Sequence, residues 1–311
     1  MENEYIIETK CLTKKYDGVP VVDGLNLHVR EGEIFGLLGP NGAGKTTTIL
    51  MLLGLSEPAD GSAIVCGYNP TREPLKVKRV VGYMPEKVGF YDNLTARENL
   101  RFIAELNNIP YKEIDDKADE LMKAVGIRDV ADDKVGTFSR GMKQRLGIAD
   151  VLIKSPKLAI LDEPTAGLDP DGILHISDLI AGLPKLGTSV ILSSHQLYQV
   201  QKVCHSIAII AKGKLVVEGS IAELSKRASA GRCEIEVETK QPTPELVENI
   251  KKLNGVTRVD TNGDMLLVCA NTDLRSDIAI LVVQSKLPLN GMKIQQMSLD
   301  DIYMKYFHEK E

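Results

Sequence analysis

The sequence lacks the features of a disulfide-stabilised, thiolate-metal or membrane-spanning protein. Its five cysteines are scattered without CxxC spacing, which argues against a disulfide framework and a thiolate metal site and fits the reducing cytosol. The longest apolar run, IAILVV at residues 278–283, is far shorter than the roughly 20 residues that cross a bilayer. The opening MENEYIIETK has neither the cationic start nor the apolar core of a signal peptide. Any membrane role is therefore expected to come through a partner.

An excess of positive charge is also missing. The formal net charge of -5 argues against a surface that follows a nucleic-acid backbone throughout, although FSRGMKQRLG at residues 138–147 leaves room for a local basic patch. With 43% hydrophobic and 26% charged residues, the composition is that of a soluble globular protein. A length of 311 residues predicts roughly two domains.

Short apolar runs indicate the fold class of the first part. Leu25, Leu27 and Val29 alternate with polar neighbours, which predicts antiparallel strands within residues 5–30. EIFGLL, KLAIL and TSVILSS are continuous apolar runs separated by helical segments, a pattern typical of buried parallel strands joined by helices. The sequence therefore predicts an α/β nucleotide-binding core with an antiparallel β lead-in.

Two further regions follow different patterns. Residues 86–155 are charged and helical in period, with Thr95 and Glu98 spaced as a capping box, and predict a helical insertion. From residue 229 the order of runs is βαββαβ, a ferredoxin-like arrangement. The small, polar segment ELSKRASAGR before it is typical of a linker. The predicted domains are residues 1–228 and 229–311.

A phosphate-binding loop stands between a predicted strand and a predicted helix. Gly39, Gly44, Lys45 and Thr46 have the spacing GxxxxGK[ST], and this context is the confirming one. Glycines let successive backbone N–H groups turn towards a phosphate, and the helix that follows adds its positive end. The motif places Lys45 at the β- and γ-phosphates and the Thr46 hydroxyl at Mg²⁺. These residues indicate a P-loop nucleotidase of unspecified class.

The run KLAILDEP supplies the two carboxylates, Asp162 and Glu163, that hydrolysis of a bound nucleotide needs beside the phosphate loop. A buried strand that ends in two carboxylates is costly unless a cation or water compensates them. We expect Asp162 to hold Mg²⁺, mostly through water, and Glu163 to polarise the attacking water. His195 ends another apolar run, ILSSH, where an imidazole is able to reach a γ-phosphate; taken alone, a histidine there is more often structural.

These motifs occur in one order: the P-loop, FSRGM, LDEP, AGLD and ILSSH. In that order the first 225 residues resemble the ATP-binding subunit of an ABC transporter. The resemblance implies an ATPase that uses ATP and Mg²⁺, and a homodimer in which two chains stack head to tail with two ATP between them. It extends the nucleotide contacts to the whole P-loop: Gly39, Pro40, Asn41, Gly42, Ala43, Gly44, Lys45, Thr46 and Thr47.

The resemblance also implies roles for residues outside the P-loop. Tyr16 matches the aromatic residue that stacks on adenine, although from the sequence alone it is an ordinary strand tyrosine. Ser139 and Gly141 match the signature residues that contact the γ-phosphate held by the opposite subunit. Asp169 matches the loop that carries information between the two sites, and His195 matches the switch histidine.

Several positions depart from the family pattern, among them Glu86, Arg140 and Met142. Glu86 stands where the family often has glutamine; its carboxylate is expected to bind Mg²⁺ or water while adding negative charge beside the phosphates. In FSRGM, Arg140 and Met142 replace a glycine and a glutamine. Because Ser139 and Gly141 persist, the contact with the opposite subunit's nucleotide is expected to survive.

The resemblance extends to partners. Residues 86–98 match the region that grips a membrane subunit, with Phe90 and Tyr91 as candidate contacts, and the chain is expected to lie on the cytoplasmic face of the cell membrane. The ending SLDDIYMKYF resembles ATPases of ABC-2-type exporters, whose polytopic membrane subunit is a separate chain. Together with MPE and FSRGMKQRLG, it most resembles the ATPase of the transporter that matures the copper centres of nitrous oxide reductase.

Two alternatives remain open on the sequence. A soluble ABC ATPase that acts on nucleic acid or ribosomes usually carries tandem P-loop domains or a long coiled-coil insertion, and this sequence has neither, so no nucleic-acid partner is expected. The βαββαβ unit is interpreted as a scaffold or dimer contact, with a ligand sensor as the competing interpretation.

Overall fold

A six-stranded sheet forms the centre of the N-terminal unit in the computed structural model, which describes residues 4–228 and 233–295. In spatial order its strands are β10 (Lys214–Ser220), β9 (Ser206–Ala211), β4 (Ile34–Leu38), β8 (Ser189–Ser194), β7 (Leu158–Asp162) and β6 (Val81–Met84). All neighbours are parallel except β9 and β10. Every residue of β4, β7 and β8 is buried, which explains their uninterrupted apolar runs and confirms the predicted parallel strands.

The predicted antiparallel lead-in is present beside this core. Its strands are β1 (Tyr5–Tyr16), β2 (Val19–Leu25), β3 (His28–Arg30) and β5 (Asp60–Val65), and β1 pairs with the other three. Strand β5 was not predicted from the sequence, because its first three residues are exposed and break the alternation of buried and exposed positions. Together with the α/β core, this sheet confirms the predicted fold class of the first unit.

Helices connect the strands and form the insertion. Their bounds are α1 (Lys45–Leu52), α2 (Pro74–Val80), α3 (Ala96–Leu106), α4 (Tyr111–Ala124), α5 (Arg140–Leu152), α6 (Pro170–Gly182), α7 (Leu197–Val203) and α8 (Ile221–Ala228). The three helices α3 to α5 lie between β6 and β7, as predicted for a helical insertion. At the start of α3 the capping box is confirmed, since the Thr95 hydroxyl accepts from the Glu98 N–H and the Glu98 carboxylate accepts from the Thr95 N–H.

The predicted linker ELSKRASAGR is wrong over all of its described residues, 223–228. Residues 221–228 form α8, and Leu224 on this helix is fully buried. Ala, Leu, Glu, Lys and Arg are strong helix formers, so a segment that is small and polar in composition still favours a helix once one apolar residue finds a buried position.

The C-terminal unit has the predicted βαββαβ order. Its elements are β11 (Cys233–Thr239), α9 (Pro244–Lys251), β12 (Val256–Asn262), β13 (Met265–Ala270), α10 (Arg275–Gln284) and β14 (Leu289–Gln295). The sheet order β12-β13-β11-β14 is antiparallel throughout, which confirms the additional α+β domain. It encloses its own apolar core, including Ile235, Val268 and Ile278.

The chain divides into units Met1–Ile221 and Ala222–Glu311. The domain boundary between residues 228 and 229 stays a prediction, and SLDDIYMKYF lies outside the described residues. Within residues 4–228 and 233–295, no helix combines the length and the apolar character that crossing a bilayer requires.

Candidate active site

The predicted phosphate loop runs from the end of β4 to the start of α1. Two of its glycines have no space for a side chain: a methyl group at Gly39 would collide with the Ile210 carbonyl oxygen, and one at Gly44 would lie 2.7 Å from the Val21 carbonyl oxygen. Gly44 also has a φ of 103°, in the region that favours glycine. The close approach of the surrounding backbone therefore fixes both residues as glycine.

The start of α1 is suited to bind an anion. The first N–H groups of a helix have no intrahelical acceptor, and the capping residue Gly44 has no side chain to supply one. The Lys45 ammonium, only 6% exposed, donates to the carbonyl oxygens of Gly39 at 2.7 Å and Pro40 at 3.3 Å. A buried cation beside unsatisfied N–H groups fits the phosphate chain of a nucleotide.

Asp162 ends β7 and is held from two sides. Its Oδ2 accepts from the Thr46 hydroxyl at 3.0 Å, and its Oδ1 accepts from the Ser193 hydroxyl. Burial raises the pKa of the neighbouring Tyr83 to about 12, and the charge of Asp162 adds to this shift. The described residues contain no group of three His, Cys, Asp or Glu side chains placed to hold a metal ion. Thr46 and Asp162 instead fit Mg²⁺, which commonly takes one or two protein oxygens and completes its shell with phosphate and water.

Glu163 follows at the end of the strand with a strained backbone. Its φ of 51° lies in the left-handed region, which a non-glycine residue rarely adopts and which is typical of functional sites. The backbone N–H is held by Ser193, with 3.2 Å to its carbonyl oxygen and 3.1 Å to its hydroxyl. Glu163 Oε2 lies 2.9 Å from His195 Nδ1, and Oε1 lies 3.6 Å from Lys45 Nζ. The carboxylate is thus buried between two potential cations.

One cavity of about 160 Å³ brings most of the predicted site together. It is lined by residues 40–47 of the P-loop, Glu86, Asp162 and Glu163. His195 joins this group through its contact with Glu163. The structure therefore places the predicted phosphate, metal and water-activating residues around one space.

The other predicted residues are not among those that line this cavity. Tyr16 ends β1 with 49% exposure, and Lys14 Nζ lies 5.3 Å from the centroid of its ring. Ser139 caps α5 by accepting from the Met142 N–H at 3.2 Å, and Asp169 caps α6 by accepting from the Gly172 N–H at 2.8 Å. Together with Gly141, these residues do not line the cavity, and their assigned roles stay predictions.

Ser193 was not predicted as a site residue from the sequence. This residue contacts both members of the acidic pair, because β7 and β8 are neighbours and Asp162 is paired with Ser193. The only sequence signal is a hydroxyl residue near the end of the apolar run ILSSH.

The fold and the site together define a P-loop nucleotide-hydrolysing protein: a parallel sheet, a phosphate loop at a helix start and an acidic pair at the end of a nearby strand. The family model described as ABC transporter matches residues 22–166. The chain belongs to the ABC transporter family. It is the ATP-binding subunit of such a transporter, an ATPase whose hydrolysis of ATP drives transport.

Similar proteins extend this result. The chain is 45% identical over 223 residues to the bacitracin transport ATP-binding protein of Bacillus licheniformis, covering 71% of this chain and 72% of that protein. It is 33% identical over 300 residues to the daunorubicin/doxorubicin resistance ATP-binding protein of Streptomyces peucetius, covering 96% of this chain and 91% of that protein. A solved structure of an ATP-binding subunit of an ABC transporter has a TM-score of 0.66 and 30% identity, covering 71% of this chain and 92% of that one.

Proposed function

We propose that two copies of this chain form a head-to-tail dimer that holds two ATP molecules, each between one P-loop and the other chain's signature residues. The observation that carries this proposal is the placement of Ser139 and Gly141, which sit at the start of α5 and do not line the cavity of their own chain. The start of a helix attracts an anion. A second chain supplies that anion when its nucleotide faces α5.

The site residues have distinct tasks in this dimer. Lys45 and the N–H groups at the start of α1 bind and orient the phosphates. Thr46, Asp162 and Glu86 would hold Mg²⁺, which supplies Lewis-acid neutralisation of phosphate charge when bound. Glu163 accepts the proton of the attacking water, and His195 fixes the orientation of this carboxylate through the 2.9 Å contact. Tyr16 stacks on the base, and Asp169 shapes the loop that faces the partner chain.

Glu163→Gln tests the catalytic assignment. Glutamine keeps the shape of the side chain but is unable to accept a proton, so turnover is expected to fall by about 10² or more, the usual scale for a general base. ATP-dependent dimers should persist in gel filtration, because binding residues are intact. Glu57→Gln, at an exposed position outside the site, is the control. Unchanged turnover in Glu163→Gln would remove this residue from its role.

The proposed transporter is an exporter whose membrane subunit is a separate polytopic chain. The names of the relatives support export, since they include bacitracin transport and daunorubicin/doxorubicin resistance. An exposed aromatic pair offers a contact surface: Tyr91 and Phe102 are 53% and 37% exposed, and their ring centroids lie 5.2 Å apart. With Phe90, this pair is proposed to bind the membrane subunit and to hold the chain on the cytoplasmic face of the membrane.

A narrower candidate is the transporter that matures the copper centres of nitrous oxide reductase. MPE and FSRGMKQRLG support this candidate, together with SLDDIYMKYF outside the described residues. Deleting the gene for this chain distinguishes the copper-maturation transporter from an antibiotic exporter. Loss of copper from nitrous oxide reductase, with unchanged antibiotic sensitivity, favours the narrower role; increased antibiotic sensitivity with a fully loaded reductase excludes it.

A further inference from the structure

Arg140, where the family pattern has a glycine, lies against the loop that follows the acidic pair. A methyl group built at Gly167 would lie 2.5 Å from Arg140 Cζ and 3.1 Å from Nε, so the guanidinium occupies the space beside Gly167. One residue further along each segment, a methyl group at Gly141 would lie 3.8 Å from Leu168 Cδ2. The start of α5 and the loop at residues 164–169 therefore contact each other within one chain.

This loop is short and fixed at both ends. At its start the Ala166 N–H donates to the Glu163 carbonyl oxygen at 3.1 Å, and at its end Asp169 caps α6. The peptide of Gly167 lies between these two fixed points with a φ of 71°. Gly167 is four residues after Glu163 in sequence, and Arg140 stands between Ser139 and Gly141. The contact between Arg140 and Gly167 therefore joins the segment of the catalytic carboxylate to the segment of the signature residues.

We propose that Arg140 is a positioning residue that couples the signature residues to the loop at residues 164–169 of the same chain. This inference rests on the proposed function, in which Ser139 and Gly141 meet the partner chain's nucleotide. The guanidinium sets where the start of α5 sits relative to Glu163, so the state of one ATP site is transmitted to the signature that completes the other. Arg140 acts through its contact with Gly167 and needs no contact with nucleotide.

A double-mutant cycle tests the contact in the full chain without nucleotide. Gly167→Ala is strained in any background because of the positive φ, but only with Arg140 present does the new methyl group meet the guanidinium. Because the guanidinium ends a flexible, exposed side chain and can move aside, the extra fall in melting temperature for Gly167→Ala in the wild-type background, compared with Arg140→Ala, is expected to be small, about 1 °C. Equal losses in both backgrounds would overturn the contact.

Steady-state ATPase kinetics test the positioning role. Arg140→Ala is expected to lower kcat by about 10-fold with little change in KM, and Arg140→Lys should fail to restore kcat, because an ammonium lacks the planar surface that rests on Gly167. A raised KM that Arg140→Lys restores would overturn the proposal in favour of a direct charge contact with the partner's nucleotide. Unchanged kcat and KM in Arg140→Ala would overturn it as well.

Lys143→Ala is the matched control. It removes a cation from the same turn of α5, but Lys143 pairs with Asp92 at 2.9 Å and not with the loop. Its kcat should stay close to that of the wild-type chain, and a loss equal to that of Arg140→Ala would overturn the assignment to the Gly167 contact. A wild-type chain that hydrolyses no ATP would refute the proposed function and leave the melting-temperature cycle as the test of the contact.

Discussion

At the scale of single residues, the acidic pair depends on one serine from the next strand. The Ser193 hydroxyl donates to the Asp162 carboxylate and accepts from the Glu163 N–H, and the serine itself is fully buried. The hydroxyl therefore satisfies part of a buried charge and also helps to hold Glu163 in its left-handed conformation. Ser193 is a positioning residue on these grounds, because it acts through both carboxylate residues.

Ser193→Ala is expected to destabilise the chain by about 1.5–3 kcal/mol, the range for losing a hydrogen bond to a charged group. ATP turnover should fall as well, because Glu163 is less well oriented. Ser194→Ala is the matched control, since Ser194 is equally buried but contacts Gln196 and neither carboxylate. Urea unfolding and steady-state ATPase assays measure the two effects, and equal behaviour of the two variants would refute the role of Ser193.

A second residue, Asp150, is a partly buried carboxyl whose nearest compensating charge is Lys154. It lies on α5 and lines a cavity together with apolar side chains such as Leu53 and Val81 and with Lys154. Burial raises the pKa of its carboxyl to about 6, while the charge of Lys154 opposes the shift. A carboxyl whose pKa is higher in the folded state stabilises the fold below its unfolded pKa, and this stabilisation is lost as the pH rises through about 6.

Asp150→Asn is therefore expected to stabilise the chain at high pH. The gain in the free energy of unfolding should be about 2–3 kcal/mol at pH 8 and roughly half of that at pH 5, because the folded carboxyl is then mostly protonated. Urea unfolding at the two pH values measures the gain in the free energy of unfolding. Asp178→Asn is the control, because Asp178 is exposed. A gain that does not depend on pH would contradict the account of this carboxyl.

At the scale of elements, local signals and distant contacts were predictable to different degrees. The capping box of α3, the P-loop before α1 and the βαββαβ order could be predicted, because each depends on residues near one another in sequence. The contact of Ser193 with Asp162 and the contact of Arg140 with Gly167 could not, because strand order and helix packing bring these residues together. The linker prediction failed for α8 because composition alone does not show the buried position of Leu224.

The capping box gives a prediction at this scale. Thr95→Ala should cost about 1 kcal/mol in the free energy of unfolding, since it leaves the Glu98 N–H without its acceptor. Glu98→Ala should add less to Thr95→Ala than it costs alone, because the two side chains act as one unit. Thr71→Ala, at an exposed turn, is the control for the first change. Strict additivity in urea unfolding would refute the reciprocal cap.

At the scale of the whole molecule, one chain holds two incomplete halves of a site. The P-loop, Asp162 and Glu163 surround the cavity, whereas Ser139 and Gly141 lie elsewhere. The contact between Arg140 and Gly167 links these halves within the chain. The central claim is therefore that each working site combines the P-loop of one chain with the signature residues of another.

Mixing two inactive variants tests this claim most directly. Lys45→Ala disables the P-loop. Gly141→Asp disables the signature. A side chain fits at this position, since the nearest atom to a new Cβ, Leu168 Cδ2, is 3.8 Å away. An aspartate is tolerated at the start of a helix, but its charge repels the phosphate of the partner chain's nucleotide. Each variant alone should have little ATPase activity. An equal mixture should recover about a quarter of wild-type turnover, because half of random dimers contain one intact site of two. No recovery in a mixture that still forms ATP-dependent dimers would contradict the shared site.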